Sequence, residues 1–304
     1  MSVLDAIGNT PLVELVSVNP KRPTVRIFAK LEGNNPGGSV KDRAALRMIR
    51  DAEESGRLSH HQTILEATSG NTGIAMAMIG AAKGYRVKLC MAASVSVERR
   101  KILEALGAEL VLTPAHERTD GAIRKVRQLV AENPGEYFAP NQFDNPSNML
   151  AHYDSTGPEI FAQTNGQVDV FVAGMGTSGT LMGVSRYLKE VKPGVRIAGV
   201  EPPMGHRIQG LKNMQESIRP KIYDPELLDD KISVMDHEAF ATARRLATLE
   251  GIFVGMSSGA AVVGALRVAS RLPHGVIVVL LPDRGDRYLS TELFRSAQCA
   301  PKVA

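Results

Sequence analysis

Lys41 has the setting in this chain that most invites chemistry. It lies in the stretch NNPGGSVKDRAA, which begins at Asn34. Pro36, Gly37 and Gly38 bend the chain, Ser39 is a candidate N-cap, and Asp42 forms a weaker relative of the capping box. That puts Lys41 at about the second position of a helix, where the partial positive charge of the N-terminus opposes an ammonium. A lysine that gives up its proton easily suits Schiff-base chemistry, since only the free amine attacks a carbonyl. The ordinary alternative is a solvated charge on a helical face.

Three further turns offer groups for a ligand. In EATSGNTG, Thr68, Ser69, Asn71 and Thr72 set side-chain donors beside the free N–H groups of a helix start. Such a turn can hold a carboxylate or phosphate, or simply cap its helix. In GMGTSGTLMG, Gly174, Gly176 and Gly179 spell G-x-G-x-x-G, and Glu201 follows about 20 residues later, close to a dinucleotide fingerprint. A nicotinamide-dependent oxidoreductase is therefore the rival reading. Against it, Thr177, Ser178 and Thr180 crowd the loop with hydroxyls, which suits a terminal phosphomonoester better than a pyrophosphate. The fourth turn, GMSSGAA, opens a helix with Ser257 and Ser258, for which capping is the ordinary reading. The seven histidines show no metal spacing, and there is no Walker sequence.

The elements that must position these turns alternate along the chain. RIFAKLE, TILEAT, RVKLCMA and AELVLT read as strands, with helices over SVKDRAALRMIRDAEESG, TGIAMAMIGAAKG, SVERRKILEALG and about Asp120 to Glu132. VDVFVAGM, RIAGVEP, GIFVGM and GVIVVLLP read as four more apolar strands. Strands apolar on both faces, alternating with helices, predict an α/β protein of two doubly wound, mostly parallel sheets with the ligand site between them. The Asn- and Pro-rich PNQFDNPSN is the expected boundary. A smaller domain over 38–141, with a lid that can close, and a larger one from 1–37 plus 142–304 follow. Ligands in such sheets bind beyond the carboxyl ends of the strands, where all four turns fall.

Composition narrows the function. The chain has 304 residues, 43% hydrophobic and 22% charged, with a formal net charge of +4. That mild balance suits anionic small molecules and argues against nucleic acid. Cys90 and Cys299 form neither a disulfide framework nor a metal spacing, and Cys90 reads as core, which fits a reducing cytoplasm. No stretch is long and apolar enough to cross a membrane, and MSVLDAIGNTPLVEL lacks the marks of a signal peptide.

IGNTPLVEL, KLEGNNPGGSVKDRAA, EATSGNTGIA, GMGTSGT and GMSSGAA, in that order, resemble the cysteine synthases, pyridoxal-phosphate enzymes of the tryptophan-synthase-β-like fold. The likeness runs from about Ile7 to Thr291. It implies that Lys41 holds the cofactor aldehyde and shuttles the α-proton, while Gly176, Thr177, Ser178, Gly179 and Thr180 hold the phosphate. Asn71 would bond the ring hydroxyl, and Thr68, Ser69 and Thr72, with Gln142, would grip the substrate carboxylate. Ser257 would face the ring nitrogen. A neutral hydroxyl need not keep that nitrogen protonated, so carbanions are short-lived and a β leaving group is expelled promptly.

The implied reaction is β-replacement through an aminoacrylate, turning O-acetyl-L-serine and sulfide into L-cysteine, with a homodimer expected by family likeness and no metal. S-V-K-D-R-A resembles the cysteine synthases more than the S-F-K-x-R-G type of the serine and threonine dehydratases. Cystathionine β-synthase is a further relative, although the chain has no room for an added regulatory domain. LLPDRGDRYLST and GLKNMQESIRPKIYDPELL resemble the B-type and phosphoserine-using branches. Many of those carry an arginine where Lys212 stands, which keeps the charge for a second anion but loses the bidentate fork. Pro282-Asp283, where B-type relatives carry Cys-Asp, counts against thiosulfate. O-phosphoserine is the second candidate substrate.

Overall fold

The computed structural model describes residues 1–295, apart from Ser69, Glu216 and Ser217. Cys299 lies outside the described residues. In chain order the elements are β1 (Leu12–Glu14), β2 (Val25–Leu31), α1 (Lys41–Glu54), β3 (Thr63–Ala67), α2 (Asn71–Lys83), β4 (Arg86–Ala92), α3 (Val97–Ala105), β5 (Glu109–Thr113), α4 (Arg118–Glu132) and β6 (Tyr137–Phe138). There follow α5 (Pro146–Ala151), a π-helical turn over His152–Thr156, α6 (Gly157–Gln163), β7 (Val170–Gly174), α7 (Gly179–Val191), β8 (Arg196–Glu201), β9 (Asp230–Ser233), α8 (Asp236–Glu250), α9 (Met256–Arg271), β10 (Gly275–Leu281) and α10 (Glu292–Arg295).

The strands form two sheets. One has the order β1-β2-β10-β7-β8-β9 and is parallel except for the β1–β2 pair. The other has the order β5-β4-β3-β6 and is parallel throughout. Each is the doubly wound arrangement that apolar strands alternating with helices demand. Helix α1 shows why. Its buried Ala44, Ala45, Met48, Ile49 and Ala52 form one stripe, packed with Ile64, Ile74 and Ile79 around the smaller sheet. Fully burying each such isoleucine contributes about 1.5–3 kcal/mol.

One expectation changes. GIFVGM is not a sheet strand; within it only Val254 forms an isolated bridge, to Arg284. The segment is a short link between α8 and α9, and β10 already has β2 and β7 on its two edges. The run PNQFDNPSN, expected as the boundary, is largely packed. Asn145 caps α5, Pro146 takes its first position, and Gln142, Ser147 and Asn148 are buried.

Candidate active site

Lys41 opens α1 because the turn before it is clamped. The Val40 N–H donates to the carbonyl of Pro282 at 2.9 Å, and Ser39 bridges Asp283, tying the helix start to the end of β10. Ser39 Oγ accepts the Lys41 N–H at 3.3 Å, and Asp42 Oδ2 reaches back to the Gly37 N–H at 2.6 Å. The helix therefore begins at Lys41, one residue later than the Ser39 cap predicts. Two positions on, Arg43 is bound by Glu32 (2.8 and 2.9 Å) and Glu159 (2.6 and 2.7 Å), and Lys30 reaches Glu159 at 2.6 Å. These ion pairs lock the first turn of α1 against β2 and α6.

The Lys41 side chain lines a cleft, and its pKa is lowered. Burial is the larger cause, and the charges of Asp283 and Glu32 oppose it. The helix N-terminus invoked from sequence acts in the same direction. The space of the cleft is about 870 Å³, counting the part open to solvent. Its lining includes Asn71, Thr72, Gln142, Gly176, Thr177, Ser178, Thr180, Lys212 and Ser257. Turns distant in sequence thus meet at the carboxyl ends of β2, β3, β7 and β10.

Two expected residues stand behind this lining. Thr68 is fully buried, and its Oγ1 accepts the N–H groups of Gly70 (2.9 Å) and Gly73 (3.1 Å), which shapes the start of α2. Gly179 supports the phosphate turn from its N-terminal position in α7. Ser69 lies outside the described residues. Thr72 donates to Gln142 Oε1 at 2.6 Å, while Gln142 Nε2 donates to the carbonyl of Ala67 at 2.7 Å. Lys212 Nζ lies 3.3 Å from Asp120 Oδ1 and 4.6 Å from the Phe143 ring centre.

The 176–180 turn is built for close backbone approach. A Cβ on Gly176 would lie 2.5 Å from the carbonyl oxygen of Gly210, and one on Gly179 would lie 2.1 Å from Asn148 Oδ1. Ser178 adopts the left-handed region at φ 69°, and its Oγ is buried without a hydrogen-bond partner. A buried hydroxyl without a partner at a helix N-terminus is poised for an anion.

Residues that sequence reasoning missed complete the surroundings. Asn148 Nδ2 donates to the Gln142 carbonyl (2.7 Å) and to Thr177 Oγ1 (3.0 Å), joining the carboxylate side to the phosphate side. His152 is fully buried between Thr156 (2.9 Å) and Thr180 (3.2 Å). Burial, with the cations Arg43 and Lys41, holds its pKa well below the usual histidine range. The signal that could have found both is the side-chain chemistry of the Asn/Pro-rich run and the helix after it.

An amine facing the cleft, a phosphate-sized cradle and a neutral hydroxyl at Ser257 fit pyridoxal phosphate, with its aldehyde, phosphate and ring nitrogen. The dinucleotide reading fares worse. Glu201, its acidic residue, pairs with Lys231 at 2.8 Å and does not line the cleft. Among the described residues no group of three His, Cys, Asp or Glu side chains could hold a metal, and no helix is long and apolar enough to cross a membrane.

Known proteins agree with this geometry. The family model described as pyridoxal-phosphate dependent enzyme matches residues 3–283. Over 297 residues the chain is 49% identical to cysteine synthase B of Escherichia coli (strain K12), covering 97% of this chain and 96% of that protein. The crystal structure of cysteine synthase from Entamoeba histolytica superposes with a TM-score of 0.91 at 42% identity, covering 99% of this chain and 92% of that one. A crystal structure of O-ureido-L-serine synthase reaches 0.92, also at 42% identity, covering 99% and 97%. The chain belongs to the pyridoxal-phosphate dependent enzyme family, among the cysteine synthases.

Proposed function

We propose that this protein makes L-cysteine by β-replacement, taking O-acetyl-L-serine and sulfide as substrates. The observation that carries the reading is the meeting of Lys41 with the 176–180 turn and Ser257 in one cleft. Pyridoxal phosphate, when bound, supplies a conjugated electron sink for the substrate's α-carbon. The residues of the chain do the rest. Lys41 holds the aldehyde, and its Nζ, whose pKa enclosure lowers, takes the α-proton and later returns it. Ser178, Thr177 and Thr180, with the amides of Gly176 and Gly179, hold the phosphate. Asn71 faces the ring hydroxyl. Thr72, Gln142 and Ser69 orient the substrate carboxylate, with Thr68 shaping their turn. Ser257 meets the ring nitrogen with a neutral group, which favours loss of the leaving group.

The domain division we propose is 38–141 against 1–37 plus 142–304, with the cleft between. A homodimer working in the cytoplasm is part of the same reading, supported by family likeness and by the buried, unpaired Cys90. Light scattering of the purified protein tests the dimer.

The decisive test is visible absorption of the purified protein before and after O-acetyl-L-serine, with borohydride trapping and mass analysis of the peptide holding Lys41. A yellow protein with an adduct on Lys41 and a spectrum that changes with substrate is the expected result. A yellow protein unmoved by O-acetyl-L-serine would redirect the reading to O-phospho-L-serine or another β-substituted substrate. A protein that stays colourless with added pyridoxal phosphate sinks it.

A further inference from the structure

Of the described residues lining the cleft, two carry a cationic side chain, Lys41 and Lys212. Lys41 is committed to holding the aldehyde. Lys212 is therefore the cation left for any second anion brought in by the substrate, and it already has a counter-ion. Its Nζ bonds Asp120 Oδ1 at 3.3 Å, while Asp120 Oδ2 accepts the N–H of Ile218 at 3.4 Å. The Lys212 N–H donates to the Met175 carbonyl at 2.8 Å, and its side chain is buried over Phe143. The pair joins α4, beside the smaller sheet, to the loop that follows β8.

This geometry bears on the leaving group of the activated serine, and so rests on the reading proposed above. An acetyl ester is uncharged and needs no counter-ion. A phosphate monoester brings nearly two negative charges into a cleft that already holds the cofactor phosphate. To be matched it must take Lys212 away from Asp120, which then stays close as an unmatched carboxylate. We propose that Asp120 is a specificity-determining residue: by neutralising Lys212 it tunes the cleft to an uncharged leaving group and against a phosphate ester. Burial lowers the pKa of Lys212 and the Asp120 carboxylate opposes the fall, as expected of a paired ammonium; in Asp120→Asn the phosphate ester itself would supply that opposing charge.

The test compares kcat/KM for O-acetyl-L-serine and O-phospho-L-serine, with sulfide, in the cofactor-loaded wild type and three variants. The wild type should favour the acetyl ester. Asp120→Asn should move the ratio toward the phosphate ester by about tenfold or more, since a like charge beside the dianion is removed and the ammonium is freed. Asp120→Glu, which keeps the charge, should hold the wild-type ratio. Adding Lys212→Met to Asp120→Asn should cancel the shift, because the gain requires the freed ammonium. Calorimetric titration with methyl phosphate, which cannot react, should show the same order of affinities. A ratio unmoved in a folded Asp120→Asn protein overturns the inference, as does a Glu variant that behaves like Asn or a wild type that favours the phosphate ester. A wild type that consumes neither substrate fails the underlying reading, and this inference with it.

Discussion

Asn71 and Asp283 stand 212 positions apart, yet Asn71 Nδ2 donates to Asp283 Oδ2 at 2.6 Å. Asn71 opens α2 beside the smaller sheet, and Asp283 follows β10 of the larger one. The same carboxylate oxygen accepts from the Tyr288 hydroxyl (2.6 Å) and lies 3.5 Å from the Arg99 guanidinium. Arg287 donates to Asn71 Oδ1 at 2.6 Å, so the amide is held at both ends and its orientation is set. Arg287 also donates to the Gly37 carbonyl, in the turn that precedes Lys41. One buried network thus holds two of the four turns together.

Asp283→Ala removes the acceptor that Asn71, Tyr288 and Arg99 share. Breaking a buried charged pair by deleting one partner costs about 3–5 kcal/mol. We expect a loss near the lower figure, because the Arg99 contact is long, and a weakened hold on the cofactor as Asn71 loses its setting. Denaturant melts and equilibrium dialysis of pyridoxal phosphate check the two effects. A variant with wild-type stability would show that the network carries no net energy.

Gly176→Ala and Gly179→Ala should both harm the phosphate turn, for different reasons. At position 176 the added methyl meets a backbone carbonyl at 2.5 Å, so the turn itself must move. At position 179 it meets the Asn148 side chain at 2.1 Å, which can swing away only by leaving Gln142 and Thr177. Misplacing a positioning turn by about 1 Å can cost on the order of a hundredfold. Cofactor affinity should fall by about tenfold or more in each, and further for Gly176→Ala. Dialysis against a cofactor series gives the ranking, and the reverse order would show that Asn148 matters more than the backbone contact.

Asn148→Ala leaves the Gln142 carbonyl and the Thr177 hydroxyl without their shared donor. The cost to folding should be about 1–3 kcal/mol, as for a buried group left unsatisfied. Because Asn148 acts through Gln142 and Thr177, KM for the activated serine should rise more than kcat falls. A steady-state comparison with Asn148→Asp, which keeps the shape and loses the donor, separates the hydrogen bonds from packing.

What could be read in the sequence is what local chemistry dictates. An apolar strand, a Gly- or Ser-rich turn and a helix start specify one another within a few residues, so Lys41, the 176–180 turn and Ser257 were legible. Asp283, Arg287 and Arg99 were not, since their partners come together only when the two sheets are assembled. Composition said less at PNQFDNPSN. Asn and Pro serve exposed linkers and helix caps alike, and here Asn145, Pro146 and Asn148 cap and fasten α5. GIFVGM failed for a topological reason, as an apolar run becomes a strand only where a sheet edge is open to it. Asp120 gave no local sign at all, because its meaning comes from Lys212.

Glu66 gives the fold a pH dependence that a single variant can isolate. Its carboxylate accepts the N–H groups of Ala67 (2.8 Å) and Gln142 (3.1 Å) at the end of β3, with almost no exposure to solvent. Burial raises its pKa from the usual 4.5 to about 7, and those backbone donors oppose the rise. Below pH 4.5 the group is protonated whether the chain is folded or not. Between 4.5 and about 7 the unfolded chain ionises while the folded one keeps its proton, so stability falls as pH rises. Above that both forms are ionised and the full cost remains. Asp42, raised by burial to about 7, acts in the same direction, so the wild-type curve alone does not separate the two. Glu66→Gln cannot ionise. Its stability relative to the wild type should therefore rise across this window by on the order of 3 kcal/mol. Urea melts from pH 4.5 to 8 measure that difference, and a flat one would mean that Glu66 does not titrate there.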